Sequence, residues 1–291
     1  MIRELFEILA PTFLAAFSGW VWVRSGRRFD RKMIGDLIML VGAPCLIFSS
    51  LVSLEVSPSA MWVMAQAAVA CFLIVAVVGV VGLRLMKLPS HTFLSPLVFG
   101  NQGNLGVPLC LFAFGSEGQA LALVFFSIGA TLQFSAGLFI WSGRVDPMEL
   151  IRNPVGLSAL AAAVVVGFDL SVPSVLTNTT RLLGGFAIPL MLVALGVAVA
   201  EMRVTDLRRS VLMAMMRLTV SVTVGFGMAH VFGFTGIARG VLILQCAMPA
   251  AVFNHLLAQR YDRSPEQVAS IVVVSTLLTA VALPFLLPFI V

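Results

Sequence analysis

A polar, glycine-rich cluster interrupts an apolar stretch of the chain between residues 93 and 114. The stretch reads F-L-S-P-L-V-F-G-N-Q-G-N-L-G-V-P-L-C-L-F-A-F, and both of its flanks are apolar enough to lie in a membrane. No continuous helix favours the middle of it, because glycine costs about 1 kcal/mol and proline about 3 kcal/mol relative to alanine in a helix interior. Irregular backbone at bilayer depth is tolerated only where protein buries it or where it lines a cavity, so this stretch predicts a helix that breaks inside the membrane beside a binding site. The cluster consists of three glycines, three amides and one proline: Gly100, Asn101, Gln102, Gly103, Asn104, Gly106 and Pro108.

The composition places the chain in a membrane. Of its 291 residues, 60% are hydrophobic and 11% are charged, whereas a soluble domain carries roughly 25% charged residues. These charges are too few to cover a water-facing surface, and we therefore predict an all-α integral membrane protein with the lipid bilayer around it. The net charge of +5 is attributed to basic cytoplasmic loops. No basic run is interleaved with aromatic residues, so we expect no nucleic-acid partner.

Hydropathy divides the chain into ten predicted spans, joined by loops in which basic residues are alternately many and few. One set of loops holds 15 of the 18 lysines and arginines, and the other set holds 3. By the positive-inside rule the basic set faces the cytoplasm, which places both termini outside. The predicted spans are 5–23, 33–54, 60–83, 93–114, 117–141, 154–170, 178–200, 210–232, 237–258 and 267–290.

Ten spans with both termini on one side divide into two five-helix halves of opposite topology, residues 1–145 and 146–291. Pro44 and Pro189 lie 145 residues apart, and large aliphatic residues flank each of them. The ninth span echoes the interrupted fourth span, because Pro249 lies inside it with the polar residues Gln245 and Asn254 nearby. Two interrupted helices at matching places in two inverted halves are typical of secondary transporters.

The ends of two broken helices can bind an anion without a buried lysine. A helix N-terminus presents unpaired N–H groups and about half a positive charge. Amide side chains supply donors and acceptors, proline stops a helix at a set point, and glycine lets a ligand approach the backbone. We therefore predict that a carboxylate binds where the breaks meet, at a site drawn from Asn101, Gln102, Gly103, Asn104, Pro108, Pro249, Ala250 and Asn254.

Several of these residues also have a purely structural interpretation. Asn101 and Asn104 could cap the broken helix, which would not exclude contact with a ligand. Gln102 could face lipid headgroups or a neighbouring helix. Pro108 and Pro249 could act only as helix stops.

Two ionisable residues are candidates for coupling or for substrate access. His255 either titrates during transport or packs as a neutral histidine. Arg217 lies several residues into the eighth span, where it either snorkels to the cytoplasmic surface or attracts an anion near the inner mouth. The fourth and ninth spans contain no Asp or Glu, so the sequence predicts no sodium site built from carboxylates. We also find no metal-binding, cofactor or catalytic motif, and we expect no enzyme activity.

The residues of the fourth span resemble the auxin efflux carrier family, whose bacterial members include proteins described as malonate or dicarboxylate transporters. The bacterial members resemble N-x-G-N-x-G-x-P-L, and residues 101–109 read N-Q-G-N-L-G-V-P-L. Plant members carry an asparagine seven residues before the proline of G-I-P-L, as Asn101 stands before Pro108, but they have a proline where Gly100 stands. Their ninth span resembles P-x-x-x-x-P-x-x-x-A-x-x-Y, and residues 249–261 keep that pattern except for Asn254 at the second proline.

The resemblance implies a fold, a substrate class and a mechanism. The fold is ten helices in two inverted halves, in which broken helices 4 and 9 cross. Residues 5–54 and 154–200 form a scaffold part, and residues 60–141 and 210–290 form a transport part that moves like an elevator. The substrates are small organic anions bound at the crossing, where the asparagine matching Asn101 contacts the carboxylate. The resemblance also implies a homodimer. The changes at Gly100 and Asn254 leave the identity of the acid open.

We therefore predict a multi-pass transporter of small carboxylates in a bacterial inner membrane. One alternative is a sodium-coupled symporter of the bile-acid type, with sodium sites made from backbone carbonyls and amides. A second alternative is a membrane protein that senses a ligand without translocating it. Sodium dependence separates the first alternative from the prediction, and flux in vesicles separates the second.

Overall fold

The computed structural model describes residues 2–53, 57–143 and 153–291, and it is built from helices. The helices are α1 (Ile2–Arg24), α2 (Arg31–Leu37), α3 (Ala43–Ser53), α4 (Pro58–Leu85), α5 (Ser90–Val98), α6 (Val107–Leu132), α7 (Leu138–Ser142), α8 (Pro154–Gly167), α9 (Ser174–Gly185), α10 (Ala187–Glu201), α11 (Leu207–Val231), α12 (Gly236–Cys246), α13 (Val252–Arg260) and α14 (Pro265–Leu286). Wider, π-helical turns at Ile38–Gly42 and Gln133–Gly137 join α2 to α3 and α6 to α7, and a third at Gln102–Gly106 leads into α6.

The described helices have the length and apolar character that the predicted all-α membrane protein requires. Within the described residues, seven helical segments are long and apolar enough to cross a membrane, and α8 and α12 are shorter apolar helices. One of the seven, Gln102–Ser142, has 41 residues, which in a straight helix would extend about 60 Å against a hydrocarbon core of about 30 Å. Gly115 within this segment has φ 68° and ψ −159°, so the backbone turns where the sequence predicts a loop between the fourth and fifth spans. The count of ten spans, their inverted repeat and their orientation stay predictions.

Polar residues between the apolar runs fix where several helices begin. The side chains of Asp30, Ser57, Asn153 and Asp206 each accept a hydrogen bond from a backbone N–H in the first turn of α2, α4, α8 and α11. Each cap satisfies one of the donors that a helix start leaves unpaired. These helices therefore begin close to where their predicted spans begin.

Helices α1 and α10 pack backbone to backbone through two glycines. A Cβ atom on Gly19 would lie 2.0 Å from the carbonyl oxygen of Val193, and one on Gly196 would lie 1.7 Å from that of Ala16. No side chain fits at either place, so the two helices approach more closely than larger residues allow. Helix α3 packs against α8 and α9 in the same part of the molecule. Gly184 of α9 lies against the backbone of Leu46. A Cβ atom added to Gly184 would lie 2.8 Å from the Cα and N atoms of Leu46.

The two helix breaks cross each other at residues 99–101 and 249–251. The backbone N–H of Asn101 donates to the carbonyl of Pro249 at 2.7 Å, and the N–H of Ala251 donates to the carbonyl of Phe99 at 3.1 Å. Gly100 and Ala250 thereby form a single antiparallel bridge between two helical segments. The predicted break in the fourth span is confirmed. The sequence left open which residues of the fourth and ninth spans lie opposite each other, and the structure pairs Gly100 with Ala250.

Candidate functional site

A cavity of about 450 Å³ lies beside the crossing. One wall consists of the residues that follow the first break, and another consists of Ala251, Val252 and Phe253 at the start of α13. Helix α10, the junction of α6 with α7, and residues in and beside α2 line the remaining sides. The lining residues include Arg31, Lys32, Asp36, Gly100, Asn101, Gly103, Asn104, Phe126, Gln133, Phe134, Met191, Ala194, Ala251, Val252, Phe253 and His255.

Two helix N-termini face this cavity. The turn Gln102–Gly106 starts one helical segment and α13 starts the other, and residues from both starts line the cavity wall. The first N–H groups of a helix have no partner within the helix, and the aligned peptide dipoles add about half a positive charge at each start. The cavity is therefore an environment that favours an anion, although no lysine or arginine is among the residues that line its crossing side.

The side chain of Asn101 has an unpartnered donor at the cavity wall. Asn101 is 4% exposed, and its Nδ2 atom is buried without a hydrogen-bond partner among the described residues. Leaving a buried donor unsatisfied costs about 1–3 kcal/mol. Its backbone is fully engaged, since the N–H donates to Pro249 and the carbonyl accepts from Leu105 and Gly106. The backbone thus fixes the position of a residue that lines the cavity and whose amide has a donor without a protein partner.

Asn254 holds the crossing together. Its Oδ1 accepts from Ser95 Oγ at 2.8 Å and from Gln133 Nε2 at 3.3 Å, and its Nδ2 donates to the carbonyl of Phe99 at 3.0 Å. Asn254 is completely buried and does not line the cavity. Its three bonds join α5, the π-helical turn after α6 and α13, so every polar atom of this amide has a protein partner.

Arg217 is buried inside the protein. It is 2% exposed on α11, and its Nε donates to the carbonyl of Met248 at 2.9 Å. Its Nη1 donates to the carbonyls of Pro96 at 3.3 Å and of Leu97. The expectation that Arg217 snorkels to the surface is therefore wrong, because backbone carbonyls at the crossing bind its guanidinium instead of water.

The mouth of the cavity carries ionisable residues from α2 and α13. Arg31 and Lys32 line it, and Arg31 Nε forms a salt bridge with Glu201 at 2.9 Å. His255 also lines the cavity, and its Nδ1 lies 3.0 Å from the carbonyl of Pro265. Because a carbonyl only accepts, Nδ1 carries the hydrogen, and Nε2 of the neutral ring is an acceptor. Asp36 is the acidic residue of this wall.

The structure separates the predicted site residues into two groups. Asn101, Gly103, Asn104 and His255 line the cavity. The others surround the crossing without lining the cavity: Gln102, Pro108, Arg217, Pro249, Ala250 and Asn254. Contact of either group with a ligand stays a prediction.

Sequence reasoning missed Gln133 and the apolar wall of the cavity. Gln133 is 9% exposed, lines the cavity and begins a π-helical turn, a feature that often marks functional sites. The sequence signal that could have identified Gln133 is an amide side chain inside the apolar run 117–141. Phe126, Phe134 and Met191 form much of the apolar wall. No signal distinguishes them from the other apolar residues of their helices.

Comparison with known proteins shows similarity to one family of membrane transport proteins and to two archaeal proteins described as transporters. The model of a family described as "Membrane transport protein", which includes the auxin efflux carriers, matches residues 4–150 and 141–287. An uncharacterized transporter of Methanothermobacter thermautotrophicus is 30% identical over 273 residues, which cover 88% of this chain and 87% of the relative. An uncharacterized transporter of Methanocaldococcus jannaschii is 24% identical over 263 residues, which cover 84% and 85%. These matches confirm the family resemblance that the fourth span predicts.

Proposed function

Because this chain belongs to the membrane transport protein family of the auxin efflux carriers, we propose that it carries a small organic anion across the membrane. The carboxylate binds in the cavity at the crossing of the two helix breaks. The observation that carries this proposal is the buried, unpartnered Nδ2 of Asn101 at a wall that two helix N-termini also face. The donor and the two positive helix ends are complementary to one carboxylate group.

The other walls are suited to the rest of the acid. Phe126, Phe134 and Met191 supply apolar surface, and Gln133 and Asn104 supply polar groups. The basic residues Arg31 and Lys32 at the mouth raise the local concentration of anions. Small acids with one carboxylate at Asn101 and an aromatic, aliphatic or second acidic group beyond it are the expected substrate class.

The arrangement of the helices that line the cavity supports the proposed elevator movement. The crossing residues belong to the predicted transport part, 60–141 and 210–290, whereas Met191 and Ala194 belong to the predicted scaffold part, 5–54 and 154–200. A ligand in the cavity lies between the two parts. Sliding of the transport part against a scaffold that the Gly19 and Gly196 contacts keep rigid would carry the ligand from one side to the other.

Thermal stabilisation of the purified protein tests the site. The panel contains small aromatic and dicarboxylic acids, with and without sodium and at two pH values. A ligand at 100 times its dissociation constant adds about 2.7 kcal/mol to the free energy of unfolding. We expect at least one acid to raise the melting temperature of the wild type, and Asn101→Ala to abolish that rise while the protein still folds. Uptake of the same acid into proteoliposomes then separates transport from ligand sensing.

Asn153→Ala is the matched control. Asn153 is also a 4% exposed asparagine with an unpartnered Nδ2, but it caps α8 and does not line the cavity. Its replacement lowers stability by about 1 kcal/mol through loss of the cap and leaves the acid-dependent rise unchanged. An Asn101→Ala protein that keeps the rise would overturn the site. Stabilisation by sodium in the absence of any effective acid would favour the sodium-coupled alternative.

A further inference from the structure

Among the described residues, the buried cation Arg217 has no acidic partner. The three hydrogen bonds described for its guanidinium go to the backbone carbonyls of Pro96, Leu97 and Met248. In the part of the chain that the structure describes, no carboxylate lies within salt-bridge distance of it. A buried charge is expensive unless its surroundings compensate it, so the three carbonyls have to supply the compensation.

These carbonyls belong to the C-terminal ends of two helices. Pro96 and Leu97 lie in the last turn of α5, and Met248 lies two residues beyond the end of α12. A helix C-terminus has unpaired carbonyls and about half a negative charge. One guanidinium therefore neutralises the negative ends of both broken helices, while the positive ends of the following segments face the cavity.

A cluster of this kind is also a suitable environment for a small hard cation. Helix C-terminal ends and unwound carbonyls coordinate sodium in secondary transporters with broken helices. In this chain the donors of Arg217 already bind these oxygens. The side chain is covalently attached, so its positive charge is present in every state of the protein and needs no ion from solution.

The backbone of Gly100 separates the guanidinium of Arg217 from the cavity. Gly100 lines the cavity, and a Cβ atom added to it would lie 2.0 Å from Nη2 of Arg217. The guanidinium thus lies directly behind the backbone of the cavity wall, where no side chain fits between them. In the low dielectric of a protein interior, a positive charge behind the cavity wall stabilises an anion in the cavity.

We infer that Arg217 is a built-in counter-cation that takes the place of a coupled sodium ion. It binds the carbonyls that would otherwise coordinate the ion, and it makes anion binding in the cavity dependent on its own charge and independent of sodium. The effect on anion binding rests on the proposed function above. The proposal that Arg217 occupies the carbonyl cluster does not depend on that function. Separate experiments therefore test the occupation of the cluster and the effect on anion binding.

The first test measures sodium binding without any acid. Melting temperatures of the purified protein are compared in sodium chloride and choline chloride at equal ionic strength, for the wild type, Arg217→Gln and Arg217→Lys. We expect a sodium-specific rise for Arg217→Gln, which vacates part of the cluster, and none for the wild type or Arg217→Lys. A sodium-specific rise in the wild type, or equal behaviour of the wild type and Arg217→Gln, overturns the replacement of sodium by Arg217.

The second test measures acid binding, with malonate and indole-3-acetate as probes in the same two salts. The wild type is expected to bind equally in both, Arg217→Gln to lose about tenfold in affinity in choline, and Arg217→Lys to keep most of its affinity. If Arg217→Gln does not fold, Arg217→Lys alone tests the proposal. Because this variant keeps the positive charge, a loss of about tenfold in its affinity for the acids would overturn the role of that charge. Arg209→Gln is the control, since it removes one charge from a half-exposed position on the same helix.

Failure of the proposed function has a different signature. In that case neither probe nor any acid of the wider panel stabilises the wild type in either salt, or Asn101→Ala keeps the stabilisation. The comparison of sodium with choline in the absence of acid still supports or overturns the position of Arg217 in the carbonyl cluster.

Discussion

Asn101 and Asn254 are both buried amides at the crossing, but their surroundings give them different roles. Asn254 has a protein partner for its oxygen and for its nitrogen, whereas the nitrogen of Asn101 has none among the described residues. A fully satisfied buried amide fixes a conformation, and an unsatisfied one beside a cavity is available to a ligand. This difference separates a residue that supports the site from one that we propose binds the substrate.

Replacing Asn254 should therefore lower stability rather than only affinity. Asn254→Ala removes three buried hydrogen bonds and leaves the hydroxyl of Ser95 and the amide of Gln133 without this partner. We expect the free energy of unfolding to fall by about 3 kcal/mol. The measurement is a melting curve of the purified protein without ligand.

Asn104→Ala is the control, because Asn104 is a half-buried residue of the cavity wall, and its replacement should change stability by less than about 1 kcal/mol. A stable Asn254→Ala protein that had lost only ligand binding would contradict this division of roles.

The sequence predicted these residues better than it predicted their partners. Asn101 and Asn104 stand in an apolar stretch, so their polarity alone indicated a site, and both line the cavity. The contacts of Asn254 and Arg217 could not be read in this way. Asn254 binds Ser95, 159 residues away, and Arg217 binds Leu97, 120 residues away. Such pairs depend on the alignment of two distant breaks, which no local pattern determines.

At the scale of elements, glycines decide how closely helices approach. Membrane helices gain little from the hydrophobic effect when they associate, because lipid is as apolar as they are, so packing through small residues is a main source of their affinity. Gly19 and Gly196 place α1 and α10 in direct backbone contact. The prolines of the second and seventh spans were visible in the sequence, but these glycines were not singled out, since a glycine in an apolar helix does not reveal which neighbour it meets.

Gly196→Ala should force α1 and α10 apart. The added Cβ would stand 1.7 Å from the carbonyl oxygen of Ala16, which is backbone and cannot rotate away. We expect a loss of about 1–3 kcal/mol in the free energy of unfolding, as for other overpacked sites.

Gly227→Ala is the matched control in the interior of α11, because nothing lies within 4 Å of its added Cβ. That variant should be as stable as the wild type or more stable, by up to about 1 kcal/mol, since alanine favours a helix. Equal melting temperatures for the two variants would show that the contact at Gly196 is not tight in solution.

At the scale of the whole molecule, the orientation rests on the distribution of charge. The loops predicted to face the cytoplasm hold 15 of the 18 basic residues, and the alternation persists along the chain only if residues 93–141 cross the membrane twice. The backbone turn at Gly115 is where the chain would pass through the outer surface between these two crossings. The count of spans and the orientation therefore depend on each other, and one experiment tests both.

Thiol labelling from the two sides of the membrane is that experiment. Ser116→Cys and Ser25→Cys are placed singly in a chain whose four native cysteines, all free, have been replaced. Both serines are exposed, Ser116 directly after the turn at Gly115 and Ser25 in the basic loop after α1. A membrane-impermeant maleimide should label Ser116→Cys in intact spheroplasts and Ser25→Cys only after permeabilisation. Protection of Ser116→Cys under both conditions would mean that Gln102–Ser142 crosses the membrane once, and labelling of Ser25→Cys in intact spheroplasts would reverse the orientation. With the expected result, the mouth of the cavity at Arg31 and Lys32 opens to the cytoplasm, so the substrate would bind from inside the cell in the conformation described.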